Sequence, residues 1–132
     1  MSKNILLMAT LVGLALTGGA MAQALGQANG PAQLADTSKG KVLADAKGMT
    51  LYTFDKDADG KSACNGPCAA NWPPFAATGA ATPAGWTTIT RDDGTKQWAY
   101  KGKPLYTFAK DEKPSEIKGD GFLNGAWHVV TP

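Results

Sequence analysis

The chain has 132 residues with 13 basic and 11 acidic side chains, a net charge of +2, 43% hydrophobic and 18% charged residues, 16 Gly, 8 Pro and 2 Cys. That is material for one small globular domain. Near-balanced charge leaves no basic face able to grip nucleic acid, and so low a charged fraction does not suit a disordered, self-repelling tail.

Residues 1–22 place Lys3 before an apolar run from Ile5 to Leu16 and end on Ala20-Met21-Ala22. This is the layout of a secretory signal peptide, so a periplasmic or secreted product is expected. The run falls short of the roughly 20 residues that cross a bilayer, so no membrane span is expected. Gln23 stands where a lipoprotein would carry its cysteine, so no lipid anchor is expected either. From 23 to 38 no hydrophobic period is sustained and two Gly and a Pro interrupt the chain. That stretch reads as a flexible leader to a domain over 39–132.

Lys41–Ala44, a turn at Asp45–Gly48 and Met49–Asp57 read as a β-hairpin. Within Leu51-Tyr-Thr-Phe54, Tyr52 and Phe54 alternate onto one face, Leu51 and Thr53 onto the other. Asp55-Lys-Asp57-Ala-Asp59-Gly60 opens like a calcium loop, in which alternate carboxylates surround the ion. Gly66 occupies the place of the bidentate Glu, and the run follows a strand rather than a helix. A polar turn is therefore the simpler reading, with Ca²⁺ at Asp55, Asp57 and Asp59 the alternative. In an exported protein Cys64 and Cys68 are expected to form a disulfide that pins the turn before Trp72 and Phe75. The alternative is a Cu⁺ or thiol-redox site using Cys64, Cys68, the single His128 and the soft ligand Met49. It lacks the alternating strands and helices of a thioredoxin-like fold. Pro67–Asn71 reads as the one helical turn, opened by Pro67 and stopped by Pro73.

Ala76–Gly85 is a small-residue loop that divides the domain. Beyond it, Ile89–Arg91 and Lys96–Trp98 flank Asp92-Asp-Gly-Thr95, where an Asp-Gly pair suits a tight hairpin. Lys96–Tyr100, a turn at Lys101–Pro104 and Leu105–Asp111 restate the first unit, and Trp127–Thr131 makes a closing strand. There His128 points away from Trp127 and Val129 and is partly exposed. Residues 51–57 and 105–111, LYTFDKD and LYTFAKD, agree at six of seven positions, an internal repeat. The expected fold is all-β: a small antiparallel sheet domain of two related β-hairpin repeats, about 41–75 and 96–131, with one short helical turn near the Cys pair. Its junction is expected to leave a cleft rimmed by Trp72–Phe75 and Trp86.

Tyr52-x-Phe54-x-x-Asp57 and Tyr106-x-Phe108-x-x-Asp111 both fit Y-x-[FWY]-x-x-D, with Ser62–Pro74 between them. Over Val42 to Val130 the chain resembles the bacterial secreted-repeat family, predicted lipoproteins carrying this motif. The resemblance implies an exported repeat domain and no particular chemistry. Many members carry a lipobox, from which this chain departs. Asp57 and Asp111 have equivalent neighbours, which argues for two equivalent structural jobs, each accepting backbone N–H groups from the loop after its strand, rather than paired catalytic carboxylates. No phosphate loop, haem-attachment motif or nucleophile elbow is present. The expectation is an exported, non-enzymatic binding or accessory module of the cell envelope, needing no cofactor and partnered by an envelope protein or small ligand. A copper-handling or electron-transfer accessory is the alternative.

Overall fold

A computed structural model describes residues 30–78 and 82–132. The expected signal peptide, and residues 23–29 of the expected leader, lie outside them. The described residues form short antiparallel strands with two helical turns. No helix among them is long and apolar enough to cross a membrane.

Strands β1 (Gln33–Thr37) and β2 (Gly40–Ala44) form a hairpin with register Gln33↔Ala44 to Thr37↔Gly40. The flexible leader expected over 23–38 is corrected here, because residues 33–37 are a paired strand. The strand is largely exposed and is held by ladder hydrogen bonds rather than by a buried face, so it carries no hydrophobic period. Strands β4 (Trp86–Thr90) and β5 (Lys96–Tyr100) form the corresponding hairpin of the second half. Gly94, at φ +88°, supplies the left-handed residue of its turn, and the Asp93 carboxylate accepts both the N–H (3.0 Å) and the hydroxyl (2.7 Å) of Thr95. Strand β6 (Lys103–Pro104) then folds back on β5.

The expected local hairpins persist for only a few bonds. The strand proper of the first half, β3 (Tyr52–Phe54), pairs with β7 (Trp127–Val129) of the second, Tyr52 facing Val129 and Phe54 facing Trp127. The exchange is reciprocal. Leu43 N–H donates to Val130 O at 2.8 Å and Val130 N–H to Leu51 O at 3.3 Å; in the other half Trp98 N–H donates to Phe75 O and Phe75 N–H to Leu105 O, both at 2.9 Å. At the centre Tyr52 and Tyr106 exchange both backbone hydrogen bonds, at 2.8 and 2.9 Å. The halves are thus related by an approximate two-fold axis beside these tyrosines, and each completes its sheet with the other's closing segment.

The Leu and Tyr of each Leu-Tyr-Thr-Phe segment are buried on opposite faces. Leu51 and Leu105 lie in one apolar cluster with Leu43, Trp86, Trp98 and Val130. Tyr52, Tyr106 and Phe108 lie in another with Trp72 and Trp127. In this second cluster four rings stack in the order Phe54, Trp127, Trp72, Phe108, with centroids 4.2, 3.7 and 4.1 Å apart. Tyr52 meets Trp72 edge-on at 5.3 Å and Tyr106 meets Trp127 likewise at 5.1 Å, which repeats the two-fold relation. The aromatic-rimmed cleft expected at the junction is therefore corrected: Trp72 and Trp86 are each 3% exposed, and their rings fill the seam.

Helix α1 (Pro67–Asn71) sits where Pro67 and Pro73 place it. A second turn, α2 (Phe122–Gly125), was not expected. Its Leu123 and Asn124 have φ of 55° and 56°, left-handed values that no right-handed helix pattern announces. Cys64 and Cys68 are joined in a disulfide, Cα atoms 5.2 Å apart, and Cys68 O accepts Trp72 N–H at 2.9 Å. Replacing both cysteines by Ala is expected to cost about 2 kcal/mol, the closure entropy of so small a loop. A lower urea midpoint, matched by that of the reduced wild-type protein, checks this.

Candidate functional site

The motif residues meet across the axis. Tyr52 OH donates to Asp111 Oδ2 at 2.6 Å, and Tyr106 OH donates to Asp57 Oδ2 at 2.7 Å. The other oxygen of each carboxylate accepts a backbone N–H from the following loop: Ala63 N–H to Asp57 at 2.7 Å and Lys118 N–H to Asp111 at 3.0 Å. Each Tyr therefore clasps the Asp of the other copy, while each Phe stacks on a tryptophan. Nothing in the spacing within one motif shows that its Tyr and Asp bond in trans.

Burial holds both tyrosine hydroxyls well above the ordinary phenol range, and the facing carboxylates add to it. Burial also raises Asp57 and Asp111 above the ordinary carboxylate value, against the pull of their N–H and O–H donors. A carboxyl raised in the folded state stabilises fully below its unfolded pKa and loses that contribution as pH rises through the folded one. These two sites should therefore make the melting temperature fall as pH rises above about 4. Asp57→Asn/Asp111→Asn is expected to flatten that slope in melts between mildly acidic and neutral pH.

Around Tyr106 the clasp extends into a polar network that sequence reasoning missed. Arg91 is 6% exposed; its guanidinium donates to Gln97 Oε1 at 2.7 Å, Ser62 Oγ at 3.0 Å and Cys64 O at 2.6 Å. Ser62 Oγ lies 2.6 Å from Tyr106 OH, and the fully buried Gln97 donates to Leu105 O at 2.7 Å. Arg at a strand end before a polar turn reads as a surface residue, and no sequence signal says otherwise.

The carboxylates of the Asp55–Asp59 run diverge. Asp55 pairs with His128 Nε2 at 2.8 Å, Asp57 turns inward to its clasp, and Asp59 leans over Gly102, where a Cβ would come within 1.9 Å of its Oδ1. Among the described residues no three His, Cys, Asp or Glu side chains gather as a metal-holding set. The run named for calcium is thus spread apart: Asp55 is paired with His128, and Asp57 with Tyr106 OH and Ala63 N–H. Of the residues named for copper, the sulfurs of Cys64 and Cys68 are bonded to each other, His128 lies on the exposed side of β7 with Asp55, and Met49 follows the turn at Asp45–Gly48.

Asp55 and His128 instead flank two adjoining hollows of about 320 and 410 Å³ that share Thr53, Asp55, Lys101 and Lys103. Phe54 and Asp59 line one, Tyr100 and His128 the other. Lys101 Nζ sits 5.1 Å from the Tyr100 ring centroid. Together they form one groove presenting charges of both signs. Its charged groups break the two-fold relation. Across the axis Ala109 stands in place of Asp55 and Pro73 in place of His128. There Pro114 crowds the turn residue Gly48, and Ser115 N–H donates to Gly48 O at 3.3 Å. The duplicated residues hold the fold together; Asp55 and His128 stand on one side alone and do no such duplicated work.

Residues 33–76 and 87–131 match a protein family described as a secreted repeat of unknown function. The chain matches no curated protein and no solved structure. Each matched stretch spans a hairpin, a Tyr–Phe–Asp motif and a closing segment, so the repeats begin about one strand earlier than the expected boundaries of 41 and 96.

Proposed function

The chain belongs to this family of secreted repeats, and from that premise we propose that it is an exported, non-enzymatic binding module of the cell envelope. Its ligand seat is the groove formed by Thr53, Asp55, Lys101, Lys103 and His128. The observation that carries this reading is the one-sided placement of Asp55 and His128, in a groove with Lys101 and Lys103, on a duplicated framework. The interior titratable groups are engaged in clasps that join the halves, whereas the groove's groups face solvent. Export follows from the layout of residues 1–22. A seat with cations and carboxylates side by side suits a ligand that itself carries both signs, such as a peptide bearing ammonium and carboxylate groups, because complementary charge sets orientation and partner choice.

Soluble muropeptides, which carry both groups, are the probe. In amide NMR titrations, shifts are expected at Thr53, Asp55, Lys101 to Lys103 and His128. Lys101→Gln/Lys103→Gln is expected to weaken binding at least about tenfold. Both side chains are exposed, so the melting temperature should hardly change. Shifts confined to other surfaces, or none at all, would remove the groove from consideration.

A further inference from the structure

The reciprocal closure of the two sheets makes each half a receptor for a strand it does not itself supply. The slot of the first half is made by Leu43 and Leu51 and filled by Val130; that of the second by Trp98 and Leu105 and filled by Phe75. The stacked Trp72 and Trp127 come one from each half, as do the Tyr and Asp of each clasp. None of these contacts is covalent, and the disulfide lies wholly within the first half. The covalent tie between halves is the connection from Ala77 to Trp86.

We propose that the slots take the closing segment of a second copy of this chain, so that two chains pair by exchanging halves through the same contacts that close the monomer. Swapping an identical element between chains creates no new interface and loses none. The connection decides which form prevails. A short tether presents the chain's own half at an effective concentration in the millimolar range, so the monomer dominates in dilute solution.

The span of the tether gives the test. Ala77 N–H bonds Lys96 O on one flank of β5, whereas Trp86 faces Tyr100 on the other. Ala77 and Trp86 are therefore separated by about 13 Å along β5 and about 10 Å across it. Deleting residues 79–84 leaves three Cα steps, a reach of about 11 Å, too short to close the monomer. By light scattering coupled to gel filtration, this full-length variant is expected to be a dimer with wild-type tryptophan emission and an intact disulfide. A folded monomer would overturn the proposal.

A second experiment covers a deletion variant that fails to fold. Trp72→Ala impairs the first half and Trp127→Ala the second, so refolding the two variants together allows one wild-type unit per exchanged pair. The mixture is expected to yield a species of twice the chain mass with a melting transition at the wild-type temperature, absent from either variant alone. A mixture that behaves as the average of its parts would overturn the proposal equally.

Discussion

Trp127→Ala is expected to lower the unfolding free energy by about 3 to 5 kcal/mol, the range for truncating a buried tryptophan or phenylalanine. A domain of this size holds roughly 5 to 15 kcal/mol in total, so the variant should sit close to unfolding at room temperature. The indole is fully buried, lies between Phe54 at 4.2 Å and Trp72 at 3.7 Å, and receives the edge of Tyr106 at 5.1 Å. Its removal opens a void where the halves meet, and the backbone hydrogen bonds of β3 and β7 limit how far the walls can relax. Trp127→Phe should recover most of the loss. It keeps a ring in the stack and removes an indole N–H that is buried without a hydrogen-bond partner, a group that costs stability in that state. Urea titrations of the three proteins decide the matter. A loss below about 1 kcal/mol for the Ala variant would mean that the stack is not the centre of the fold.

Tyr52→Phe/Tyr106→Phe is expected to cost about 4 kcal/mol, from roughly 1 to 3 kcal/mol for each carboxylate left without its O–H donor. The rings and the Tyr52–Tyr106 backbone pair stay in place, so the loss belongs to the two hydroxyls. Double-mutant cycles with Asp111→Asn and Asp57→Asn separate the clasps. Tyr52→Phe should couple to Asp111→Asn and hardly to Asp57→Asn, although Asp57 belongs to the same motif as Tyr52. Coupling within a motif rather than between motifs would contradict the crossed pairing.

Much of this fold is legible in local chemistry. The Asp-Gly pair before Thr95 places a hairpin turn, the alternation of Leu51 to Phe54 yields a strand with two different faces, and LYTFDKD with LYTFAKD reveals the duplication. Cys64 and Cys68, four residues apart in a chain whose first 22 residues have the layout of a signal peptide, point to a bridge. What stays hidden is what depends on partners far along the chain. Strand β1 is an exposed edge, so its side chains carry no period. The exchange of closing segments is invisible because no local pattern around Val130 or Phe75 says which half's slot it enters. Arg91 is buried only because partners from two separate segments, Ser62, Cys64 and Asn65 in one and Gln97 of β5 in the other, converge on it. The Asp55–Asp59 run resembles a metal loop because periodicity says nothing of where each carboxylate turns, and here His128, Tyr106 and the bare face of Gly102 divide them. The groove is half legible: His128 and Asp55 each stand out in the sequence, but their meeting requires β3 and β7 to pair.

The two stacked indoles, one from each half, are 3.7 Å apart and inclined by only 2°. Chromophores held that close couple their ultraviolet transitions, and they do so only while both halves are seated together. The protein thus contains a built-in optical gauge: the part of its circular dichroism that arises from this pair should report docking of the halves without any added label, and should be lost before the hairpins themselves melt if the seam opens first.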